Sequence, residues 1–194
     1  KLSNHLAAIK IGYPTVFSLG IKNVRVFIEK AHEFNLPVIA DFKVADVSHT
    51  SKTIAKQAFN LGFDAIIVHP FIGFRGGLDS LVDEAEKRGR GVIGVVYMSH
   101  PGASSCYEAT YKQLVLDCLK NNFDGVVAPA TNPEKIREVR ELSKGELLIF
   151  SPGVGAQGGS AREALNAGAD FLIVGRSIYL AGDPVKALLQ LLNN

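Results

Sequence analysis

The sequence predicts an α/β protein and, within that class, a (β/α)8 barrel. Short apolar runs recur along the whole chain, each followed by a polar or Gly/Pro-rich stop and then by an amphipathic stretch. The runs are apolar almost throughout, as parallel strands buried on both faces are, whereas half-exposed hairpins alternate. Residues with chemical potential follow nearly every run. That suits a barrel, whose site gathers at the C-terminal ends of its strands, better than an open sheet, which concentrates them at one switch point.

Taken in order, the predicted strands are residues 7–11, 38–42, 65–69, 91–98, 125–128, 147–151 and 171–174. The predicted helices are residues 16–35, 48–61, 77–88, 110–121, 133–142, 160–167 and 184–192. The first strand ends in Gly12-Tyr13-Pro14. The second grows from Leu36-Pro37-Val38-Ile39 and ends in Lys43 to Asp46, with Ser48 and Thr50 placed to cap the helix that follows. Later strands stop at Pro70-Phe71, Ser99-His100-Pro101-Gly102, Pro129-Ala130-Thr131, Pro152-Gly153-Val154-Gly155 and Gly175-Arg176-Ser177. Three strand entries are near-copies: Leu61-Gly62-Phe63-Asp64, Asn121-Asn122-Phe123-Asp124 and Ala167-Gly168-Ala169-Asp170. Each offers a Gly or Asn where a helix end takes a left-handed residue, then begins a strand after an Asp. The unit repeats without low complexity or a linker.

Closing such a barrel takes eight strands, and seven are visible. Barrels often build a phosphate site from the loops after strands 7 and 8, whereas the phosphate-like loops here follow the sixth and seventh visible strands. The expectation is that the first strand and helix, about 30 residues at the usual barrel length, are missing, and that residues 1–8 are the end of that helix running into strand two. The competing reading is a seven-stranded or distorted barrel.

The totals fit one domain over residues 1–194, with 47% hydrophobic residues and 19 glycines. A net charge of +2 with scattered basic residues leaves no nucleic-acid footprint. No apolar run approaches the ~18 residues of a membrane span. Lys1-Leu2-Ser3-Asn4-His5-Leu6 lacks the apolar core and cleavage site of a signal peptide. Cys106 and Cys118 fit no metal-ligand spacing, and the five histidines form no HxxxH or HxH pair. The expectation is a cytoplasmic protein with reduced thiols, no metal and no membrane or nucleic-acid partner.

Two groups of residues carry chemistry. Ser151 to Gly159 is a Gly-rich loop opening onto a helix, suited to present backbone N–H groups to an anion, with the Gln157 amide as an uncharged donor. Val174-Gly175-Arg176-Ser177 adds close backbone approach and a guanidinium fork. Together they suggest a phosphate site; the plainer reading is turn glycines and a surface arginine. In the second group, Asp41 and Lys43 point the same way along an extended chain, and Asp46 follows. Lys10 ends the neighbouring strand. The four charges can alternate in sign across the barrel mouth, which keeps lysines protonated and carboxylates ionised. Read locally, they fit a strand-end ion pair and helix cap equally well. Ser99 can read the edge of a heterocycle or serve as a turn serine. His69 and His100 have no carboxylate partner visible in the sequence, Tyr13 and Tyr97 read as barrel packing, and Glu84 to Arg88 as a solvated helix face.

Asp41-Phe42-Lys43-Val44-Ala45-Asp46 with Thr50 resembles the DxKxxD…T motif of the orotidine 5′-monophosphate decarboxylase family. Lys10 to Pro14, Met98 to Gly102, Pro152 to Gly159 and Gly175 to Tyr179 resemble that family in its compact archaeal form, in order and over essentially the whole chain. Sugar-phosphate decarboxylases and aldolases share DxKxxD; the Ser-His-Pro-Gly and Gly-Val-Gly-Ala-Gln-Gly-Gly pieces point to the nucleotide enzyme. The resemblance implies loss of CO2 from orotidine 5′-monophosphate to give UMP, with no cofactor and no metal. It makes Lys43 the acid that protonates the ring carbon and sets Asp41 against the substrate carboxylate. Lys10 contacts the ribose and holds Asp41. Asp46 and Thr50 reach into the neighbouring subunit's site of a homodimer. Ser99 reads the pyrimidine, Gln157 spans base and phosphate, Gly175 and Arg176 hold the phosphate, and Pro152, Gly153 and Val154 belong to a closing loop.

There are two departures. No counterpart of the family's ribose-binding Asp precedes Lys10, and Val47-Ser48-His49 replaces an Ile-Pro-Asn type of segment. Competing functions are a Mg-dependent sugar-phosphate decarboxylase or aldolase on the same scaffold, and a phosphate-ligand-binding barrel without catalysis.

Overall fold

The computed structural model describes residues 2–193. All seven predicted strands are present among them, parallel wherever they pair, and the chain divides into two compact units.

The first unit comprises Ser3–Gly94 with Asn121–Phe123. Where a helix end was expected, Ser3–His5 forms a single 3-10 turn. Strand β1 (Ile9–Gly12) is followed by helix α1 (Tyr13–His32), β2 (Val38–Val44), α2 (Ser48–Leu61), β3 (Ala65–Val68) and α3 (Asp79–Lys87). The unit ends at Gly94 within strand β4 (Gly91–Val95), whose last residue, Val95, falls in the second unit. Ile66, Ile67 and Val68 are each at most 2% exposed, so β3 is covered on both faces. The helices bury one stripe each: Val24, Ile28 and Ala31 of α1, Ala55, Ala58 and Phe59 of α2, and Leu81, Val82 and Ala85 of α3. Pro14 sits in the first turn of α1, where its missing N–H costs nothing, so the helix begins earlier than expected. It is interrupted at Gly20, whose φ of 72° and ψ of 156° are not helical. Residues 74–78 form a π-type turn, which delays α3 to Asp79.

The second unit comprises Val95–Lys120 and the chain from Asp124 onward. It holds α4 (Ser104–Tyr107), α5 (Tyr111–Lys120), β5 (Gly125–Val127), α6 (Pro133–Ser143), β6 (Leu148–Pro152), α7 (Ala161–Asn166), β7 (Phe171–Ile173), α8 (Arg176–Tyr179) and α9 (Pro184–Asn193). Strand β5 pairs with β6 and β6 with β7, and the N–H groups of Val96 and Tyr97 both donate to the Val127 carbonyl at 3.2 Å. Asn132 and Ser160 cap α6 and α7 with their side chains.

The repeated strand entries have a structural cause. Gly62, Asn122 and Gly168 all adopt positive φ. The Asp64 carboxylate accepts the Val38 N–H at 2.8 Å, and the Asp170 carboxylate accepts the Ile149 N–H at 2.7 Å. Asp64 thus satisfies the first amide of β2 and Asp170 the second of β6, whose first, that of Leu148, donates to the Asp124 carbonyl. Asp64 is also paired with His32 and Arg90, and Asp170 with Arg140. No helix among the described residues is long and apolar enough to cross a membrane.

Candidate active site

On β2, buried Ala40, Phe42 and Val44 alternate with half-buried Asp41 and Lys43, so the two charged side chains share a face. Lys10 stands on β1, which pairs with β2 in a register that sets Gly12 opposite Asp41. The Lys10 ammonium reaches Asp41 Oδ2 at 2.6 Å and the Lys43 ammonium reaches Oδ1 at 2.6 Å. Both carboxylate oxygens are therefore taken by lysines. Burial alone would raise the Asp41 carboxyl, which is 11% exposed; Lys10 and Lys43 outweigh burial and hold it below the ordinary carboxylate range. Lys43 has a φ of 44°, and the pairing of β2 with β3 shifts register between Ala40 and Val44. The ammonium is thus aimed by a kinked, left-handed residue and not by a regular strand.

Asp46 does not extend this array. It is exposed, its carboxylate accepts the N–H of Val47 at 2.7 Å, and among the described residues it has no ion-pair partner. Neither Ser48 nor Thr50 caps α2. Val47 occupies the cap position, Ser48 Oγ turns to Asp79 at 2.5 Å, and Thr50 Oγ1 lies 3.2 Å from His49 Nε2. His69, left without a role by the sequence, stands at the end of β3 in the field of the array. Burial first, then the Lys43 charge, lower its pKa against the opposing pull of Asp41, which favours the neutral imidazole.

In the second unit the Gly-rich loop is a folded knot more than an open nest. Gly155 N–H donates to the Gly159 carbonyl, Gly158 N–H to Gly155, Gly159 N–H to Gly153, and Ala156 N–H to Ser177 Oγ. These amides are engaged within the unit, so the loop offers an anion fewer donors than its glycine content suggested. Gly159 is obligatory: a Cβ there would lie 2.8 Å from the Gly153 carbonyl oxygen and 2.9 Å from the Ala130 carbonyl. Gly153 has a φ of 99°, and a Cβ on it would meet Thr131, Gln157 and Ser99 at 3.0–3.3 Å. Ser99, Gly153 and Gln157 therefore converge, and Thr131 joins them through a long hydrogen bond to the Ser99 carbonyl at 3.5 Å. Thr131 and Ser177 lay inside strand-end motifs, but nothing in their spacing marked them as site residues. Pro152 ends β6, and Val154 bridges to Gly159. Gly175 precedes α8, and Arg176, exposed, has no ion-pair partner among the described residues. A cleft of about 400 Å³ borders this loop, lined in part by Val154, Ser160, Ser177 and Gln190.

A repeated β/α scaffold with a lysine–aspartate–lysine triad at a strand end of the first unit, and in the second a glycine knot beside an exposed arginine, is that of an α/β enzyme. The chain belongs to the orotidine 5′-phosphate decarboxylase / HUMPS family, whose model matches residues 1–191. It is 44% identical over 187 residues to the orotidine 5′-phosphate decarboxylase of Methanococcoides burtonii, covering 96% of this chain and 84% of that one. It is 40% identical over 186 residues to that of Pyrococcus abyssi, covering 95% and 84%. Among solved structures, orotidine 5′-monophosphate decarboxylase from Methanocaldococcus jannaschii, complexed with the inhibitor BMP, superimposes with a TM-score of 0.89 at 37% identity. That match covers 99% of this chain and 89% of the other. The Sulfolobus solfataricus enzyme gives 0.88 at 34% identity, covering 99% and 88%. The fold is accordingly the α/β barrel of this family, as the residues that follow the strand ends predicted.

Proposed function

We propose that this chain removes CO2 from orotidine 5′-monophosphate to give UMP, the last step of de novo pyrimidine nucleotide synthesis. The observation that carries the reading is the Lys10–Asp41–Lys43 triad, in a chain whose relatives are orotidine 5′-phosphate decarboxylases. In this reading the substrate carboxylate sits against Asp41. The carbon–carbon bond breaks, the electron pair stays on the ring carbon, and Lys43 gives that carbon a proton. Repulsion between Asp41 and the substrate carboxylate is relieved as CO2 leaves, so the interaction favours the transition state over the ground state. Lysines already in place around Asp41 need no reorganisation when charge moves. Lys10 holds Asp41 and contacts the ribose. Ser99 reads the pyrimidine, Gln157 spans base and phosphate, Gly175 and Arg176 hold the phosphate, and Pro152, Gly153 and Val154 close over the ligand. We read residues 1–194 as one cytoplasmic catalytic domain that needs neither metal nor cofactor. Asp46, exposed and without an ion-pair partner among the described residues, fits a carboxylate that with Thr50 completes the site of a second copy.

The test follows the absorbance of orotidine 5′-monophosphate with wild type and Lys43→Ala, each with and without EDTA. Wild type should turn over regardless of chelator, and Lys43→Ala should lose roughly 10²–10⁴-fold, the usual weight of a positioned proton donor. Unchanged turnover in Lys43→Ala removes the proton-donor role. Turnover abolished by EDTA shifts the reading to metal-dependent sugar-phosphate chemistry. Tight UMP binding with no turnover makes the chain a non-catalytic phosphate-ligand barrel.

A further inference from the structure

Asp79 is the first residue of α3, yet it does more than begin a helix. Its Oδ2 accepts the N–H of Gly76 at 2.8 Å, and its Oδ1 accepts the N–H of Ser80 at 2.7 Å and the hydroxyl of Ser48 at 2.5 Å. Ser48 Oγ also lies 2.6 Å from Ser80 Oγ. One half-buried carboxylate therefore gathers donors from three places: the loop after β3, the first turn of α3 and the first turn of α2. The last of these is the consequential one. Ser48 stands two residues after Asp46 and two before Thr50, in a helix whose cap position is Val47 and which has no side-chain cap. Ser51 Oγ donates to the Asp46 carbonyl at 2.7 Å from a fully buried position, fixing the inner side of the same turn. On its other side the turn is tied to the rest of the unit through Ser48 and Asp79.

The loop that meets Asp79 is built to do so. Gly73 and Gly76 adopt φ values of 87° and 76°, which turn the chain so that the Gly76 N–H faces the carboxylate. Three donors and the neighbouring Arg75 charge keep that carboxylate ionised, with a pKa below the ordinary range.

We propose that Asp79 is the positioning residue for the segment carrying Asp46 and Thr50: through Ser48 it fixes the first turn of α2, and through Gly76 it ties that turn to the loop after β3. In its catalytic consequence the proposal rests on the function given above, and in its structural consequence it does not.

Two measurements test it on Asp79→Ala, Asp79→Asn and Ser48→Ala, the last two serving if alanine at position 79 does not fold. In the first, amide exchange is followed by mass spectrometry. Residues 46–51 should exchange about 10-fold faster in Asp79→Ala and Ser48→Ala, while β1 and the C-terminal half of α2 keep wild-type rates, as expected when one local tie is released. Unchanged exchange over 46–51, or an equal rise everywhere, overturns the proposal whether or not the chain decarboxylates anything. The second is a double-mutant cycle in kcat/KM for orotidine 5′-monophosphate. Asp79→Ala should cost roughly 10-fold in the wild-type background and less than about 2-fold beside Asp46→Asn, because coupled residues are non-additive. An additive cycle overturns the positioning role, since a loss of general stability is indifferent to Asp46. A wild type without turnover counts against the proposed function alone, and the exchange rates then decide.

Discussion

Lys43 presents its ammonium from a residue with a φ of 44°, a region that costs a side-chain-bearing residue about 1–2 kcal/mol. Glycine escapes that cost but loses about 0.5–1 kcal/mol of chain entropy on folding. Lys43→Gly should therefore be as stable as Lys43→Ala or more so, by up to about 1.5 kcal/mol, in urea unfolding at neutral pH. At an ordinary strand position the order would reverse, and finding Lys43→Ala the more stable would argue against a left-handed residue 43. What was legible here was the pairing: a two-residue spacing puts Asp41 and Lys43 on one face, and an adjacent strand brings in Lys10. The left-handed backbone was not legible, because lysine carries no mark of it and the register shift that accompanies it depends on β3. His69 was equally hidden, since its electrostatic partners lie on another strand.

The loop from Pro152 to Gly159 shows the same division for an element. Its glycines announced a tight turn, but only the folded loop distinguishes their tasks: Gly153 makes room for Ser99, Thr131 and Gln157, and Gly159 lets two backbones touch. Gly159→Ala places a methyl group within 2.9 Å of the Ala130 carbonyl, and backbone cannot yield as a flexible side chain does. The whole loop must shift, moving Gln157 with it. UMP affinity by calorimetric titration should fall by about 10-fold or more, equivalent to at least ~1.4 kcal/mol. Undiminished affinity would show that the loop does not hold the ligand. Helices α4 and α8 escaped the sequence reading because four residues give too few turns for periodicity to register. The absence of a side-chain cap on α2 escaped it because a serine beside a helix start looks the same whether it caps its own helix or bonds to another loop.

For the whole molecule, the repeated β/α unit was legible because apolar strands and glycine-marked helix ends recur in order, while the family resemblance rested on the strand-end motifs spread from Lys10 to Tyr179. The assembly is a separate matter. If Asp46 and Thr50 serve a second copy, mixing Asp46→Asn with Lys43→Ala protein under conditions of subunit exchange should restore part of the decarboxylase activity that each lacks. No recovery despite demonstrated exchange would confine each site to its own chain. The aspartates that open the strands bear on something else, the order in which the molecule is put together. The Asp64 carboxylate binds a backbone amide 26 residues earlier and the Asp170 carboxylate one 21 residues earlier, each a single strand back. Every such bond looks backward by one unit and asks nothing of chain still to come. Loops of that size close at modest entropic cost, and contacts local in sequence form early. A strand emerging from the ribosome thus has an amide near its start claimed as soon as the next strand begins, and the sheet can be laid down one strand at a time in the direction of synthesis.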